Sequence, residues 1–243
     1  MRIIHVYHDG EDWIHRWRNH ALVLSKPVYS APRHVYESVP LFTSNYTPKI
    51  GDTVFDIGAG NGAEIQIFSK LIGSRGKVYA IEADPSAFRR MGKLIDLLQI
   101  KNVQTLNFAI SDKGGYLYLT QDGLEGVSNR VVKEKFNNEI KVKAITLDEL
   151  VKNYSIDKVD FLKMNIEGAE KLALEGFERM FNVVRNWCIS CHDFLDFGQI
   201  KTYDFVNSWM RERNIERLGS IKSDKKFFGD YYVYGINNHD ELG

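Results

Sequence analysis

Two acidic residues, Asp56 and Glu82, bracket a glycine-rich turn, a spacing suited to holding a nucleoside. Val54-Phe55-Asp56-Ile57-Gly58-Ala59-Gly60-Asn61-Gly62 is an apolar run that ends in an acid and breaks into glycines. A helical pattern follows, then Val78-Tyr79-Ala80-Ile81-Glu82-Ala83-Asp84-Pro85, a second apolar run that ends in an acid. In order this reads strand, tight turn, helix, strand. Glycines let a ligand approach the backbone and permit the positive φ of a sharp turn. Glu82, at the tip of the second strand, can accept hydrogen bonds from two ribose hydroxyls.

Gly58, Gly60 and Ala63 also satisfy the G-x-G-x-x-G/A dinucleotide pattern, so an NAD(P)-dependent oxidoreductase is a rival reading. Two features favour a cationic ligand. A third glycine stands at Gly62, and Asp56 lies just before the turn, where a carboxylate sits badly beside an anionic pyrophosphate. S-adenosylmethionine (SAM) carries a sulfonium and an ammonium and no phosphate. On this reading Asp56 meets the ammonium, directly or through water, and Gly58, Gly60, Asn61 and Gly62 border the methionine part. The helix N-terminus beyond Gly62 offers N–H groups to the carboxylate. Glu82 holds the ribose, and Ala83, Phe108 and Ala109 flank the adenine.

Lys163-Met164-Asn165-Ile166-Glu167-Gly168-Ala169-Glu170 is the next chemistry-bearing stretch. A lysine near the end of a parallel strand, buried on both faces, is costly unless paired. Strand ends of open α/β sheets line the ligand crevice, which brings Lys163 and Asn165 to it. Glu167 and Glu170 also suit a helix start through its dipole. His192 follows a further apolar run, Cys188-Ile189-Ser190-Cys191, and reaches the same crevice. Cys188 and Cys191 form C-x-x-C only superficially: in a strand, residues three apart point to opposite faces, so no metal site is expected.

These residues need a frame of alternating strands and helices, which the pattern from Asp52 onward supplies. Strands are expected at 53–57, 77–82, 103–108, 159–164 and 183–191. Helices are expected at 65–72, from Pro85 to Leu98, at 147–151, at about 168–181 and at about 199–213. The last strand, around 231–234, pairs with one around 215–221. Residues 112–145 break the rhythm and read as an antiparallel excursion. The fold class is therefore α/β: a Rossmann-like, mostly parallel sheet with an antiparallel last strand and helices on both faces.

The first 50 residues differ, with five of the seven histidines and with Trp13, Trp17 and Tyr36. Pro27, Pro32, Pro40 and Pro48 argue against long regular elements there. The expected division is an N-terminal appendage at 1–50 and a cofactor-binding domain at 51–243. The appendage either packs on the core, forms a homodimer contact, or closes over the site as a lid.

Composition sets bounds. The 243 residues are 44% hydrophobic and 26% charged, ordinary for a globular protein. Formal net charge is zero, so no bulk electrostatic case exists for nucleic acid or an anionic membrane. No apolar run approaches the roughly 20 residues of a membrane span. The first residues lack the apolar core of a signal peptide, and two cysteines make no disulfide framework, so a cytoplasmic setting is expected.

Five segments in order resemble the FkbM-type SAM-dependent methyltransferases over roughly residues 50–195: 51–59, 76–82, Asn107 to Asp112, Thr146-Leu147-Asp148-Glu149-Leu150, and Lys163 to Glu170, with His192 where that family carries a histidine. The resemblance implies a class I methyltransferase fold and O-methylation of sugars or polyketide hydroxyls. Two positions depart from it. Asn165 replaces the aspartate of Lys-x-Asp-x-Glu-Gly-x-Glu, and Ser190 stands where a glutamate is common. Both remove a carboxylate, which argues against an acid-bound Mg²⁺ and leaves Asn165 to the cofactor. A hydroxyl nucleophile needs a base, for which His192 comes first, neutral at an ordinary pKa near 6.5, and Glu167 second. Lys163 orients these groups or binds the acceptor. The acceptor is a glycan or small molecule. Trp13, Trp17, Tyr36, Arg16, Arg18, Arg33 and Ser128-Asn129-Arg130 are candidate contacts. A non-catalytic nucleoside-binding module is the third reading.

Overall fold

The computed structural model describes residues 4–28, 30–120, 131–132, 139–193, 201–222 and 231–238. The chain begins with β1 (His5–His8), β2 (Trp13–Trp17) and β3 (His20–Leu24), an antiparallel three-stranded sheet, followed by α1 (Ala31–Phe42). The proline-based expectation for this region is therefore overturned. Pro32 falls in the first turn of α1, where an N–H has no helical partner to lose, and Pro40 is absorbed near the end of the 12-residue helix.

Next come β4 (Thr53–Ile57), α2 (Ile65–Ile72), β5 (Lys77–Ile81), α3 (Pro85–Leu98) and β6 (Val103–Leu106). α3 starts where the sequence requires it: Pro85 opens the helix, and the Asp84 side chain accepts from the Ala87 N–H at 2.8 Å. The excursion contains β7 (Ala109–Ile110), β8 (Gly115–Leu119), β9 (Val131–Val132) and β10 (Ile140–Ile145). β8 pairs antiparallel with β10 and β9, and β7 pairs parallel with β10. The chain continues through α4 (Leu147–Asn153), β11 (Val159–Met164), α5 (Glu170–Glu175), β12 (Val184–Cys191), α6 (Thr202–Glu212), β13 (Glu216–Lys222) and β14 (Tyr231–Ile236). α4 carries a full capping box between Thr146 and Glu149. The helix expected at 168–181 is six residues long, with a 3₁₀ turn at Phe181–Val183. It stops at Gly176, where a Cβ would overlap the Ser111 carbonyl oxygen.

The main sheet has seven strands in the order β13-β14-β12-β11-β4-β5-β6. β12, β11, β4, β5 and β6 run parallel, and β14 lies antiparallel between β12 and β13. Alternate residues of each strand feed opposite cores. Phe55, Ile57, Leu162, Met164, Trp187 and Cys191 pack with α4, α5 and α6, while Val54, Phe161, Val78 and Cys188 pack with α1, α2 and α3. Cys188 and Cys191 thus face opposite sides.

The N-terminal sheet rests on the main unit through two apolar contacts. Trp17, Leu22, Leu24 and Val35 meet Ala63 and Ile67, and Ile14, Ala21 and Val23 meet Leu94. Asp12 adds a two-pronged ion pair with Arg89, both contacts 2.7 Å, and a third contact from Lys93 at 3.0 Å. Among the described residues no helix is long and apolar enough to cross a membrane.

Candidate active site

Where β4 ends, the chain turns through Gly58, Gly60 and Gly62, all with positive φ (77°, 54° and 85°). Gly58 has a second constraint: a Cβ there would overlap the Asn165 carbonyl oxygen, so the β4 and β11 ends close together only without a side chain. The Gly58 and Ala59 N–H groups donate to Ile81 O (2.9 and 3.0 Å), and Gly62 N–H donates to Ala59 O (2.9 Å). Gly60 N–H donates to Glu82 Oε2 at 2.7 Å. These glycines therefore border the crevice by their closeness, and their donors are engaged within the protein.

Glu82 lies one residue past β5 and is only 9% exposed. Its Oε1 accepts the Asp84 N–H at 2.7 Å. Burial pushes its carboxyl up to about 7, against the pull of the Asp84 and Gly60 N–H groups. Each carboxylate oxygen has a second lone pair, so the two together retain capacity for a ribose diol. Asn107 donates to the carbonyls of Glu82 (2.8 Å) and Ala83 (3.2 Å), fixing the strand exit. Ala83 packs against Ala109, and the Phe108 ring lies under Lys143 Nζ at 5.3 Å.

Below the turn, Asp56 and Lys163 stand side by side on β4 and β11. Lys163 Nζ donates to Asp56 Oδ1 at 2.8 Å and to Gly58 O at 2.7 Å, and it lies 5.1 Å from the Phe42 ring centre. Burial works against the Lys163 charge, but the carboxylates of Asp56, Glu64 and Glu82 outweigh it and hold the ammonium above its ordinary pKa. Burial pushes the Asp56 carboxyl up while Lys163 pulls it down. Lys163 is 1% exposed, which leaves it no surface for an acceptor and corrects that expectation. Its work is to tie Asp56 and the turn carbonyl together. Direct contact between Asp56 and a ligand is likewise limited by its complete burial.

Beside the turn, the acceptor atoms Asp56 Oδ2 and Asn165 Oδ1 nevertheless stand buried without a hydrogen-bond partner among the described residues. Buried acceptors of this kind carry a cost that a donor removes. An ammonium, delivered directly or through water, supplies such donors, so the residues present fit SAM.

His192, one residue past β12, is enclosed by carboxylates. Its Nδ1 lies 2.7 Å from Glu170 Oε1 and its Nε2 lies 3.6 Å from Glu167 Oε1. Burial alone would lower its pKa, but Glu170 and Glu167 raise it well above 6.5. The two carboxylates therefore favour the charged ring over the neutral imidazole expected from its ordinary pKa. Glu167 is the more open acid, its side chain 20% exposed, on a backbone with φ of 53°.

The strand ends thus bring together Asp56, Gly58, Gly60, Gly62, Glu82, Lys163, Asn165, Glu167 and His192. Asn61 points elsewhere: it is buried, and its Oδ1 accepts from Arg90 Nε at 3.1 Å. Trp17 is a core residue, buried and donating to Tyr36 Oη at 3.3 Å, not part of a lid. Arg16 and Arg18 are exposed, and Arg33 pairs with Glu37 at 2.9 Å. Ser128-Asn129-Arg130 lies outside the described residues. Sequence reasoning missed Glu64, whose Oε1 accepts from Ser38 Oγ at 2.7 Å and so ties α1 to the turn. It also missed Arg90, Asn107 and the contact of Glu170 with His192. An acid two residues past a glycine turn, at the head of an apolar helix, was the only visible signal for Glu64.

Comparison with known proteins agrees with this geometry. Residues 56–216, more than half of the chain, match the family model for the methyltransferase FkbM domain. The hexuronic acid methyltransferase AglP of Haloferax volcanii is 24% identical over 145 residues, 60% of this chain and 58% of that protein. A protein-L-isoaspartate O-methyltransferase of Fervidobacterium nodosum is 40% identical over 55 residues, 23% of this chain and 28% of its own. The chain thus spans less than two thirds of the length of these curated relatives. Among solved structures, a methyltransferase FkbM from Methylobacillus flagellatus superimposes with a TM-score of 0.58 at 15% identity, over 84% of this chain and 50% of that one. Aeropyrum pernix fibrillarin, solved with S-adenosyl-L-methionine, gives 0.54 at 14% identity over 97% and 100%. The sheet order, the glycine turn between two acids and the family match agree: this chain has the class I methyltransferase fold and belongs to the FkbM methyltransferase family.

Proposed function

We propose that this protein is a SAM-dependent O-methyltransferase whose acceptor is a hydroxyl of a sugar, a glycan or a related small molecule. The observation that carries the reading is the set of polar groups that the strand ends bring together. Ribose-type and ammonium-type acceptors (Glu82, Asp56, Asn165) lie on one side, and an acid–imidazolium pair (Glu167, His192) lies at the neighbouring strand ends. SAM bound there supplies a methyl group activated by a sulfonium. Glu82 orients the nucleoside, Asp56 and Asn165 face the amino acid part, and Lys163 holds Asp56 and the turn in place. Alignment of the two reactants can supply roughly 7–11 kcal/mol of the barrier.

The acceptor hydroxyl must also lose a proton. Glu167, rather than the already charged His192, takes it in this reading, and the adjacent imidazolium holds that carboxylate in place. A positioned base is worth on the order of 10²- to 10⁴-fold. A sugar acceptor is supported by the likeness to a hexuronic acid methyltransferase. An NAD(P) oxidoreductase is disfavoured by three buried acids, Asp56, Glu64 and Glu82, around the turn where a pyrophosphate would sit. The test is mass spectrometry of candidate glycans, uronic acids included, after incubation with methyl-labelled SAM. Labelled product is expected. SAM binding without transfer to any acceptor would favour a nucleoside-binding module, and stabilisation by NAD but not by SAM would overturn the reading.

A further inference from the structure

Glu167 and Glu170 stand three residues apart, and the chain folds both against His192. Glu170 is completely buried, yet its Oε1 gathers three contacts: the His192 ring nitrogen at 2.7 Å, the Ile166 N–H at 3.2 Å and the Gly168 N–H at 3.3 Å. The first touches β12 and the other two touch the turn that carries Glu167. That turn is one that few sequences adopt without support, with Glu167 at φ 53° and Gly168 at φ 96°. The other oxygen, Oε2, is buried without a partner among the described residues. A helix start alone does not account for this arrangement.

Building on the O-methyltransferase reading, we propose that Glu170 is a positioning residue: it anchors His192 as an imidazolium and fixes the 165–168 turn, so that Glu167 is held ready to accept the acceptor's proton. The charges balance. Two carboxylates and one imidazolium sum to −1. As the acceptor oxygen bonds to the methyl carbon, the carbon–sulfur bond of SAM would break with its electron pair left on the sulfur of S-adenosylhomocysteine; the acceptor's proton passes to Glu167, the cluster becomes neutral, and water later removes the proton. Among the described residues, Asp193 and Thr202 beside His192 are engaged with each other and with backbone N–H groups. Asp193 Oδ1 accepts from Thr202 N–H, Thr202 Oγ and Tyr203 N–H, and Thr202 Oγ1 accepts from the His192 N–H. Both carboxylates favour the charged ring over the neutral one.

Glu170→Gln separates charge from shape. The amide oxygen can keep all three Oε1 contacts, and the NH₂ replaces an oxygen that has no described partner. Expected are a folded variant with a lowered melting temperature, since the raised His192 pKa contributes to stability, a SAM Kd within about twofold of wild type, and kcat lowered on the order of tenfold to a hundredfold. A new ionisation should appear in the pH profile of kcat/KM, as His192 falls toward its ordinary value. Unchanged kcat and pH profile, or a loss of SAM affinity as large as the loss of kcat, would overturn the proposal. Should the variant not fold, NMR titration of the wild-type histidines decides. His192 is expected to remain an imidazolium through pH 8, and a neutral ring at pH 7 refutes the arrangement. That measurement needs no acceptor, so it stands apart from any failure of the O-methyltransferase reading.

Discussion

Lowering the pH from 7.5 to 6.0 should weaken SAM binding about eightfold, and the main cause should be Glu82. Its carboxyl titrates at about 7 in the ligand-free protein because burial disfavours the charge. A ribose diol donates two hydrogen bonds, which favour the ionised form, so ligand binding selects carboxylate and pulls the pKa down. The sign follows: below about pH 7 binding must first expel a proton. With a free-state value near 7, the apparent Kd scales as one plus ten to the power (7 − pH). That is roughly 11 at pH 6.0 and roughly 1.3 at pH 7.5, a difference near 1.3 kcal/mol. The free α-amino group of SAM, with a pKa near 7.7–8.0, is still mostly protonated at 7.5 and mostly neutral above 8, so the comparison stops at 7.5.

Calorimetry at both pH values reads the effect directly, with about one proton released per ligand at pH 6. S-adenosylhomocysteine should show the same slope, since it keeps the ribose and lacks the sulfonium. Glu82→Gln should bind weakly at every pH and show no slope. Glu170 and Glu167 raise the pKa of His192, which draws its ionisation away from the acid end of this range. A wild-type Kd that changes less than twofold between pH 6.0 and 7.5 would refute the assignment of the ribose contact to this carboxylate.

Lys163→Met removes the partner of a completely buried carboxylate and should cost about 3–5 kcal/mol by chemical denaturation; a loss below about 1 kcal/mol would show that the Asp56–Lys163 pair does not hold the turn. Gly58→Ala should abolish SAM binding or lower the melting temperature sharply, since its Cβ would overlap the Asn165 carbonyl oxygen in a backbone that already needs positive φ. Trp17→Ala should cost about 3–5 kcal/mol of stability as a buried core residue, while acceptor KM stays unchanged; a raised KM at intact stability would restore the lid.

The main sheet was legible because each strand is a short apolar run cut off by punctuation that physics forces: Asp56 before glycines, Glu82 before Asp84-Pro85. Strand ends in such a sheet must line the crevice, so Asp56, Glu82, Asn165, Glu167 and His192 could be gathered from topology alone. Hidden from the sequence were the directions in which polar side chains settle. Lys163 reads as a site residue because a buried charge is costly, yet the same cost drives it to the nearest carboxylate, Asp56, and away from the ligand. Asn61 looks like part of the turn's ligand face, but Arg90, 29 positions later, draws it inward. His192 reads as a neutral base from its ordinary pKa, and its charge state is set by Glu170, 22 positions earlier in the chain. In the N-terminal segment the prolines were weighed one by one, although a helix tolerates one in its first turn and one near its end once Val35 and Phe42 have apolar cores to enter. Each misreading has one origin: local rules give a group's cost, while the partner that offsets it comes from a distant strand or helix. For this reason the charge on His192 is the most informative quantity still to be measured: it depends on two glutamates that the sequence places beside each other but only the fold turns toward one ring.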